Sequence, residues 1–463
     1  MSTTLTTGRG GRADGDERSS AVTAVTAVTA ADAAPRPTRD SIRALVAGAS
    51  GNFVEWYEFA IYTASIPFIA ATFFPAGHGA TAVYGALAVW GIAFAARPVG
   101  AVFWGNLGDR IGRKATLAIV IAVMGGATML IGLLPTYAAI GIGAALLLTL
   151  LRLVQGFSAG GEFTGASSYI VESAPSARRG LYAAISATMT TAPAIAGLLT
   201  VGAARAWMSP AFYAAYGWRI PFLLAASLAF VALAFRLKVK ESPAFAKLLD
   251  SRATGTRSEQ PPLLEAWHRN RRAIVMVMVI CGMSALTAYI NGGFWITYMT
   301  VNLKMGNGAE WANSIALAFT IMLVPIAGWL GDRHGRKLLL WVGVVGVAVG
   351  AIPGFLLVSQ AQMIPAILGQ LCIMLPWCFL VAGAVTVAIE ILPTRVRYVG
   401  SAIAYNFGYV ILGGTAPLVA EWLINTTGLQ IAPALYMIVI AILTLAMIRI
   451  LPETRDWSVD RIE

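Results

Sequence analysis

Four charged residues lie near the middle of long apolar segments of the sequence, where the surroundings make a charge costly. Glu55 and Glu58 are three residues apart in the first segment, and Arg97 and Arg152 lie in two later ones. Ionisable residues in such segments usually mark an ion pathway or a ligand site. Because carboxylates can exchange protons and guanidinium groups can bind anions, these four residues are the first candidates for a functional site.

Helix geometry predicts that the acidic pair and Arg152 lie at a similar depth. A spacing of three residues places Glu55 and Glu58 on one helix face. At a rise of ~1.5 Å per residue, the pair lies about 17–21 Å from the inner end of its helix, and Arg152 lies about 21 Å from the outer end of an antiparallel one. We expect Arg152 to pair with Glu58 or Glu55 in the empty site, and Arg97 to balance Glu55. Polar residues on the same faces complete this half of the site: Asn52, Tyr62 and Gln155.

The second half of the sequence carries no charge at this depth, but it carries polar and aromatic residues. Those in its first apolar segment are suited to line a cavity wall opposite the charged one. Packing or an interfacial belt is an alternative role for such residues in membrane helices. The candidates in this half are Tyr289, Asn291, Trp295, Tyr298, Gln370, Trp377, Tyr405 and Asn406.

The composition places these residues in a membrane protein. The sequence is 58% hydrophobic and 12% charged, whereas a soluble domain carries about 25% charged residues. The net charge of +11 does not indicate nucleic-acid binding, because Lys and Arg lie mostly between the apolar segments, as the positive-inside rule predicts. The cysteines show no metal-ligand spacing, and the histidines, His78, His268 and His334, are expected in loops.

Twelve apolar segments predict twelve transmembrane helices in two bundles of six, 44–236 and 273–450. A cytoplasmic loop, 237–272, joins the bundles, and residues 1–43 and 451–463 are predicted to form cytoplasmic tails, the first of them disordered. The placement of Lys and Arg puts both termini in the cytoplasm. The predicted helices span 44–74, 83–107, 115–134, 138–172, 180–204, 217–236, 273–300, 311–330, 338–357, 362–391, 400–424 and 431–450.

One loop motif occurs in both bundles. Gly105–Lys114 returns as Gly328–Lys337, with eight of ten residues identical. The glycines of this motif let helices approach closely. Asp109 and Asp332 can accept hydrogen bonds from the N-terminus of a neighbouring helix while pairing with an arginine. Two copies at matching positions favour a function over ordinary loop charge.

Together these motifs resemble the major facilitator superfamily, and in particular its metabolite:proton symporter family. Glu58 departs from that pattern, because the family usually has an aspartate there. The segments that carry the resemblance, besides the paired loop, are Gly51–Phe59, Arg97–Gly100, Arg152–Gly156, Gly160–Glu162 and Pro393–Arg397. The resemblance implies the major facilitator fold, two pseudo-symmetric six-helix bundles with a cytoplasmic gate. It also implies the gating residues Gly105, Gly108, Asp109, Arg110, Gly112, Arg113, Glu162, Glu172, Arg179, Gly328, Asp332, Arg333, Arg336, Glu390 and Arg397.

The charges and the resemblance together predict a secondary transporter and not an enzyme. The sequence contains no phosphate-binding loop, so a proton gradient is the expected energy source, with no cofactor. The first hypothesis is proton-coupled uptake of a small carboxylate by alternating access, in which Arg152 holds the carboxylate and Glu58 takes up the proton. The alternatives are symport of a zwitterionic osmolyte such as proline or betaine, and drug efflux by proton antiport. We expect a monomer in the cell inner membrane, with a small molecule, protons and the lipid bilayer as its only partners.

Overall fold

The computed structural model describes residues 37–74, 79–253 and 261–461, and the regular structure within these ranges is helical. Eleven of its helices are long and apolar enough to cross a membrane. The first long helix, Arg39–Phe73, is not among the eleven, and it buries Glu55 and Glu58. With this helix the described residues form twelve spans, which confirms the predicted fold class.

The spans are labelled α1 to α12 in chain order. In the first half they are α1 Arg39–Phe73, α2 Gly79–Ile111, α3 Arg113–Leu133, α4 Ile142–Glu172, α5 Arg179–Thr188 with Ala192–Trp207, and α6 Arg219–Lys238. In the second half they are α7 Pro262–Tyr289 continued through Asn302, α8 Asn307–His334, α9 Arg336–Val358, α10 Met363–Glu390, α11 Arg397–Gly408 continued through Thr427, and α12 Ala432–Ile450. Shorter helices are Tyr137–Ile140, Ser176–Arg178, Pro210–Phe212, Tyr213–Gly217 and a linker helix, Pro243–Ala253.

Local sequence explains where two helices begin earlier than predicted. Helix α1 begins at Arg39, because the Thr38 side chain accepts a hydrogen bond from the Ser41 backbone N–H (3.1 Å) and so caps the first turn. Helix α7 begins at Pro262, and proline is favoured in a first helical turn. Much of the predicted loop 237–272 is therefore helical.

Two histidines also lie in helices and not in loops as expected. His268 lies in α7, and His334 is the last residue of α8. His78 and most of the predicted 1–43 tail lie outside the described residues.

The two halves pack through equivalent pairs of helices. Helix α2 packs against α11, and α5 packs against α8. At the end of α2 and at the end of α8 the chain turns through Gly112 (φ +109°) and Gly335 (φ +99°). Other residues rarely adopt this conformation, so the two glycines of the repeated motif are required by the backbone.

The segment that follows α12 packs against the end of the bundle that carries the repeated motif. Leu451 and Val459 are buried there. The Thr394 backbone N–H donates to the Arg461 carbonyl oxygen (2.9 Å), and the Thr394 hydroxyl donates to the Val459 carbonyl oxygen (2.9 Å). Residues 451–461, which belong to the predicted cytoplasmic tail, are therefore part of the packed structure.

Candidate transport site and gate

A hydrogen-bonded chain of side chains joins α1 to α4 in the first half. Arg152 Nη1 donates to Gln155 Oε1 (3.0 Å), and Gln155 Nε2 donates to Glu58 Oε2 (3.1 Å). All three residues are buried. The expectation that Arg152 pairs directly with Glu58 or Glu55 is wrong, because the Gln155 amide lies between the guanidinium and the Glu58 carboxylate.

Several polar atoms of this chain have no hydrogen-bond partner in the part of the sequence that the structure describes. They are Nε and Nη2 of Arg152 and Oε1 of Glu58. Unpaired buried polar atoms cost about 1–3 kcal/mol each, so they usually have a functional reason. Nε and Nη2 form one edge of the guanidinium, which is the geometry that binds a carboxylate at two points. The site thus offers a two-point donor and, across an amide, one carboxylate oxygen.

Tyr62 and Asn52 lie beside this chain in different ways. The Arg152 guanidinium stacks over the Tyr62 ring, with its carbon 3.4 Å from the ring centroid, and the Tyr62 hydroxyl donates to the Ala86 carbonyl oxygen (3.0 Å). Asn52 Nδ2 instead donates to Ser186 Oγ on α5 (2.8 Å). Tyr62 therefore holds the arginine, whereas Asn52 joins α1 to α5.

Arg97 forms a second charged group with Glu55. Arg97 Nη2 lies 2.9 Å from Glu55 Oε1, as the sequence predicts. The guanidinium carbon lies 5.5 Å from the ring centroid of Trp56, 4.4 Å from that of Phe59 and 4.6 Å from that of Phe94. The aromatic rings shield this ion pair, which makes a structural role sufficient to explain Arg97.

Three of the second-half candidates contact the first half. The Tyr289 ring lies 6.4 Å from the Phe94 ring, and the Tyr405 ring stacks on Phe163 at 4.6 Å between centroids. Asn406 Nδ2 donates to the Gly160 carbonyl oxygen (2.9 Å). These contacts join the two halves.

The other second-half candidates belong to a separate cluster. Asn313 Nδ2 donates to the Asn291 carbonyl oxygen (2.7 Å) and to Gln370 Oε1 (2.9 Å), while the amide of Asn291 has no partner among the described residues. Trp295 and Tyr298 pack on Phe355 and Phe294, respectively, and Trp377 donates to the Ser284 carbonyl oxygen. Asn313 was not among the predicted site residues, although an asparagine within an apolar segment is itself a signal.

The repeated motif makes the same contacts in both halves. Asp109 accepts from the backbone N–H groups of Tyr398 (3.3 Å) and Val399 (2.8 Å), at the start of α11. Asp332 accepts from those of Gly180 (2.7 Å) and Leu181 (2.9 Å), at the start of α5. Each carboxylate thus holds the N-terminus of a helix in the opposite half, as the motif predicts.

An arginine of the motif completes each group. Arg113 lies 2.9 Å from Asp109, and Arg336 lies 3.0 Å from Asp332. Arg336 also makes two bonds to Glu390, of 3.0 and 3.1 Å.

Glu172 differs from Glu390 because it joins the halves. It lies 3.3 Å from Arg113 in its own half and 2.8 Å from Arg397 in the other. The equivalent arginine, Arg179, instead donates to the Trp457 carbonyl oxygen (2.7 Å).

The motif glycines mark close approaches between the halves. A Cβ atom at Gly105 would lie 2.6 Å from Val399 Cα, and one at Gly328 would lie 2.4 Å from the Gly180 carbonyl oxygen. Gly108 faces the Tyr398 ring in the same way. Larger residues would separate α2 from α11 and α8 from α5.

Three predicted gating residues lie elsewhere. Glu162 pairs with Arg236 within the first half, where Arg236 also donates to the Ala47 and Leu117 carbonyl oxygens. Arg110 and Arg333 are exposed, and Arg333 stacks on Trp329. Side-chain direction decides these cases, and the motif alone does not reveal it.

Two carboxylates that the sequence analysis missed cap helices next to the motif. Glu241 accepts from the Lys114 backbone N–H at the start of α3 (3.2 Å), and Glu453 accepts from those of Arg336 (2.9 Å) and Lys337 (3.0 Å) at the start of α9. Burial raises the pKa of Glu241. Burial also acts on Glu453, but several backbone N–H groups outweigh it and hold its pKa below the ordinary value. The signal in the sequence is an acidic residue shortly after the last helix of each half.

Comparisons with known proteins agree with this geometry. The family profile described as Major Facilitator Superfamily matches residues 48–410. The solved structure of the proton:xylose symporter XylE, bound to 6-bromo-6-deoxy-D-glucose, superposes with a TM-score of 0.73 at 18% identity, covering 91% of this chain and 98% of that one. At this identity the likeness shows the fold.

Curated relatives are closer in sequence. The "Ectoine/proline transporter ProP" of Corynebacterium glutamicum is 33% identical over 417 residues, covering 87% of this chain and 81% of its own. The "Proline/betaine transporter" of Escherichia coli is 32% identical over 411 residues, covering 87% and 82%. The chain is thus a multi-pass membrane transporter of a small molecule, and it belongs to the Major Facilitator Superfamily.

Proposed function

We propose that this transporter takes up a small zwitterionic osmolyte, of the class to which proline, betaine and ectoine belong. The observation that carries the proposal is the separation of Arg152 from Glu58 by the Gln155 amide, which leaves unpaired atoms on both charged groups. The names of the relatives support the same class. They favour the zwitterionic alternative over the simple carboxylate that the sequence analysis placed first.

Charge balance explains why a zwitterion suits this site. The free edge of Arg152 would bind the carboxylate of the substrate, and Glu58 would balance its ammonium group. A simple carboxylate would occupy Arg152 but leave the buried Glu58 carboxylate without a compensating charge. Burying an uncompensated charge is strongly unfavourable, so such a ligand should bind weakly.

The energy source in this proposal is the proton gradient, with no cofactor. If Glu58 balances the substrate's ammonium group, Glu55 is the other carboxylate at this depth that can take up a proton. One of its oxygens, Oε2, has no partner in the described part of the chain. Assigning the proton to Glu55 replaces the expectation that Glu58 carries it.

The motif end of the bundle is proposed to be a cytoplasmic gate, which is closed in this structure. Rocking of the two halves would break the contacts of Asp109 and Asp332 and open the site to that side. This assignment places both termini in the cytoplasm and the protein, as a monomer, in the cell inner membrane. The placement of Lys and Arg in the sequence supports it.

Counterflow in proteoliposomes tests the substrate class. Labelled proline, glycine betaine and ectoine should exchange, whereas succinate, shikimate and simple monocarboxylates should not. Arg152→Lys should lose exchange, and the matched variant Arg205→Lys should keep it, because Arg205 also lies over an aromatic ring (Phe68) but is exposed. Exchange of carboxylates without exchange of any zwitterion would overturn the proposal.

Vesicles with an imposed gradient test the coupling. Uptake should follow an inside-alkaline gradient and stop with a protonophore. Glu55→Gln should keep exchange but lose accumulation. Uptake that needs sodium and ignores the proton gradient would contradict the coupling without touching the substrate class.

A further inference from the structure

Thr128 is a buried residue of α3 that contacts the charged site. Its hydroxyl donates to the Met124 carbonyl oxygen (2.9 Å). The single hydrogen of this hydroxyl can go to that carbonyl or to the Glu58 carboxylate beside it, and toward a donor neighbour the Thr128 oxygen can only accept. That neighbour is Gln155 Nε2, at 2.6 Å.

The donor and acceptor roles of its neighbours determine how the Gln155 amide is oriented. The amide nitrogen must face Thr128 and Glu58, and the amide oxygen must face Arg152, which only donates. Both N–H bonds of the amide are then used, one by each acceptor. Thr128 thus holds the end of Gln155 that separates the two charges.

We propose that Thr128 is a positioning residue that keeps the Gln155 amide between Arg152 and Glu58, so that both charges stay available to a zwitterionic ligand. This inference rests on the proposed function. Without the Thr128 hydroxyl, one buried N–H of Gln155 loses its acceptor. The unpaired donors of Arg152 and the unpaired oxygen of Glu58 then favour a direct ion pair, which competes with the ligand.

The variants follow from this geometry. Thr128→Val keeps the shape of the side chain but removes the acceptor, and Thr128→Ser keeps the acceptor. Thr116→Val is the matched control, because Thr116 lies on the same helix, is equally buried, and its hydroxyl has no partner within the described residues.

Binding of labelled glycine betaine and proline to the purified full chain is the first measurement. Thr128→Val should weaken binding about tenfold, equivalent to the loss of one buried hydrogen bond, while Thr128→Ser and Thr116→Val stay within about twofold of the wild type. In a Gln155→Leu background, Thr128→Val should have no further effect, because the two residues act through one contact. Wild-type affinity in Thr128→Val, or an equal loss in both backgrounds, would overturn the inference.

A cryo-electron microscopy structure of Thr128→Val without ligand gives a second readout that needs no substrate. We expect Arg152 and Glu58 in direct contact in that variant, with Gln155 still between them in Thr128→Ser. Should the wild type bind neither zwitterion, the proposed function fails, and this structure still decides the role of Thr128. Gln155 remaining between the charges in Thr128→Val would contradict it.

Discussion

The two copies of the loop motif have nearly the same sequence but not the same surroundings. In the first copy Glu172 lies between Arg113 and Arg397, so one carboxylate joins the two halves. In the second copy Glu390 binds Arg336 of its own half and the Thr454 hydroxyl (2.7 Å) of the C-terminal segment. The repeat therefore lets each half bind the N-terminus of a helix in the other half, whereas, among the described residues, only the first copy adds a buried ion pair across the interface.

The same motif therefore makes the same local contact in each half, but its neighbours differ between the halves. The first copy is also the more buried of the two, since the Asp109 side chain is 0% exposed and that of Asp332 is 4% exposed. Next to the second copy, Arg179 instead donates to the Trp457 carbonyl oxygen of the C-terminal segment. We expect substitutions in the first copy to open the proposed gate more easily.

Glu172→Gln should have the largest effect. It leaves two buried guanidinium groups with less compensation, and breaking a buried ion pair of this kind costs about 3–5 kcal/mol. Glu390→Gln should cost less, because Glu390 pairs with one arginine, Arg336, which keeps its bond to Asp332. Spin-label distances between the exposed residues Ile111 and Leu338 measure the closed population in each variant. An equal decrease of the closed population in both variants would contradict the proposed difference between the two copies of the motif.

Asp109→Asn and Asp332→Asn should come next. Each removes the charge that holds a helix N-terminus across the interface, an interaction worth up to about 2 kcal/mol in buried settings. Counterflow should nearly stop in Asp109→Asn and fall less in Asp332→Asn, with betaine binding retained in both. Wild-type counterflow in Asp109→Asn would show that the motif does not act as a gate.

Substitutions of the helix-capping residues Glu241 and Glu453 should have the smallest effects on stability. The pH dependence of these effects should have opposite signs in the two halves. The pKa of Glu453 is depressed in the folded state, so its charge stabilises the fold above its ordinary pKa, and this stability is lost as the pH falls through the folded value. Glu453→Gln should therefore lower the melting temperature at pH 7, by the equivalent of about 0.3–1 kcal/mol, and lower it by less at pH 4, where part of this stabilisation is lost.

Glu241 should behave in the opposite way. Its pKa is raised in the folded state by burial, so stability increases as the pH falls through that value. Glu241→Gln should leave the melting temperature at pH 7 unchanged or slightly raised. Thermal unfolding of both variants at the two pH values is the measurement, and the same sign in both would contradict the difference between the caps.

The sequence predicts the fold well because membrane spans are long and the repeated motif identifies the two halves. The pairing of Glu55 with Arg97 also follows from charge alone, since a buried arginine needs a nearby carboxylate. The motif likewise predicts that Asp109 and Asp332 accept bonds from helix N-termini.

The parts that could not be predicted depend on a third residue. Gln155 lies between Arg152 and Glu58, and its amide also donates to Thr128 of another helix. Glu162 does not join the two halves, because it pairs with Arg236 of α6 in its own half. Spacing along one helix gives depth and face, but not which side chain of a neighbouring helix lies between two charges.

The central claim is that the site requires both charges of its substrate. Glycine betaine and 3,3-dimethylbutanoate have the same shape, but only the first carries a positive charge. Calorimetry on the purified protein should show betaine binding and binding of the carboxylate at least about 100-fold weaker, because the carboxylate leaves Glu58 uncompensated. Equal affinity for the two ligands would contradict the account and return the assignment to a simple carboxylate.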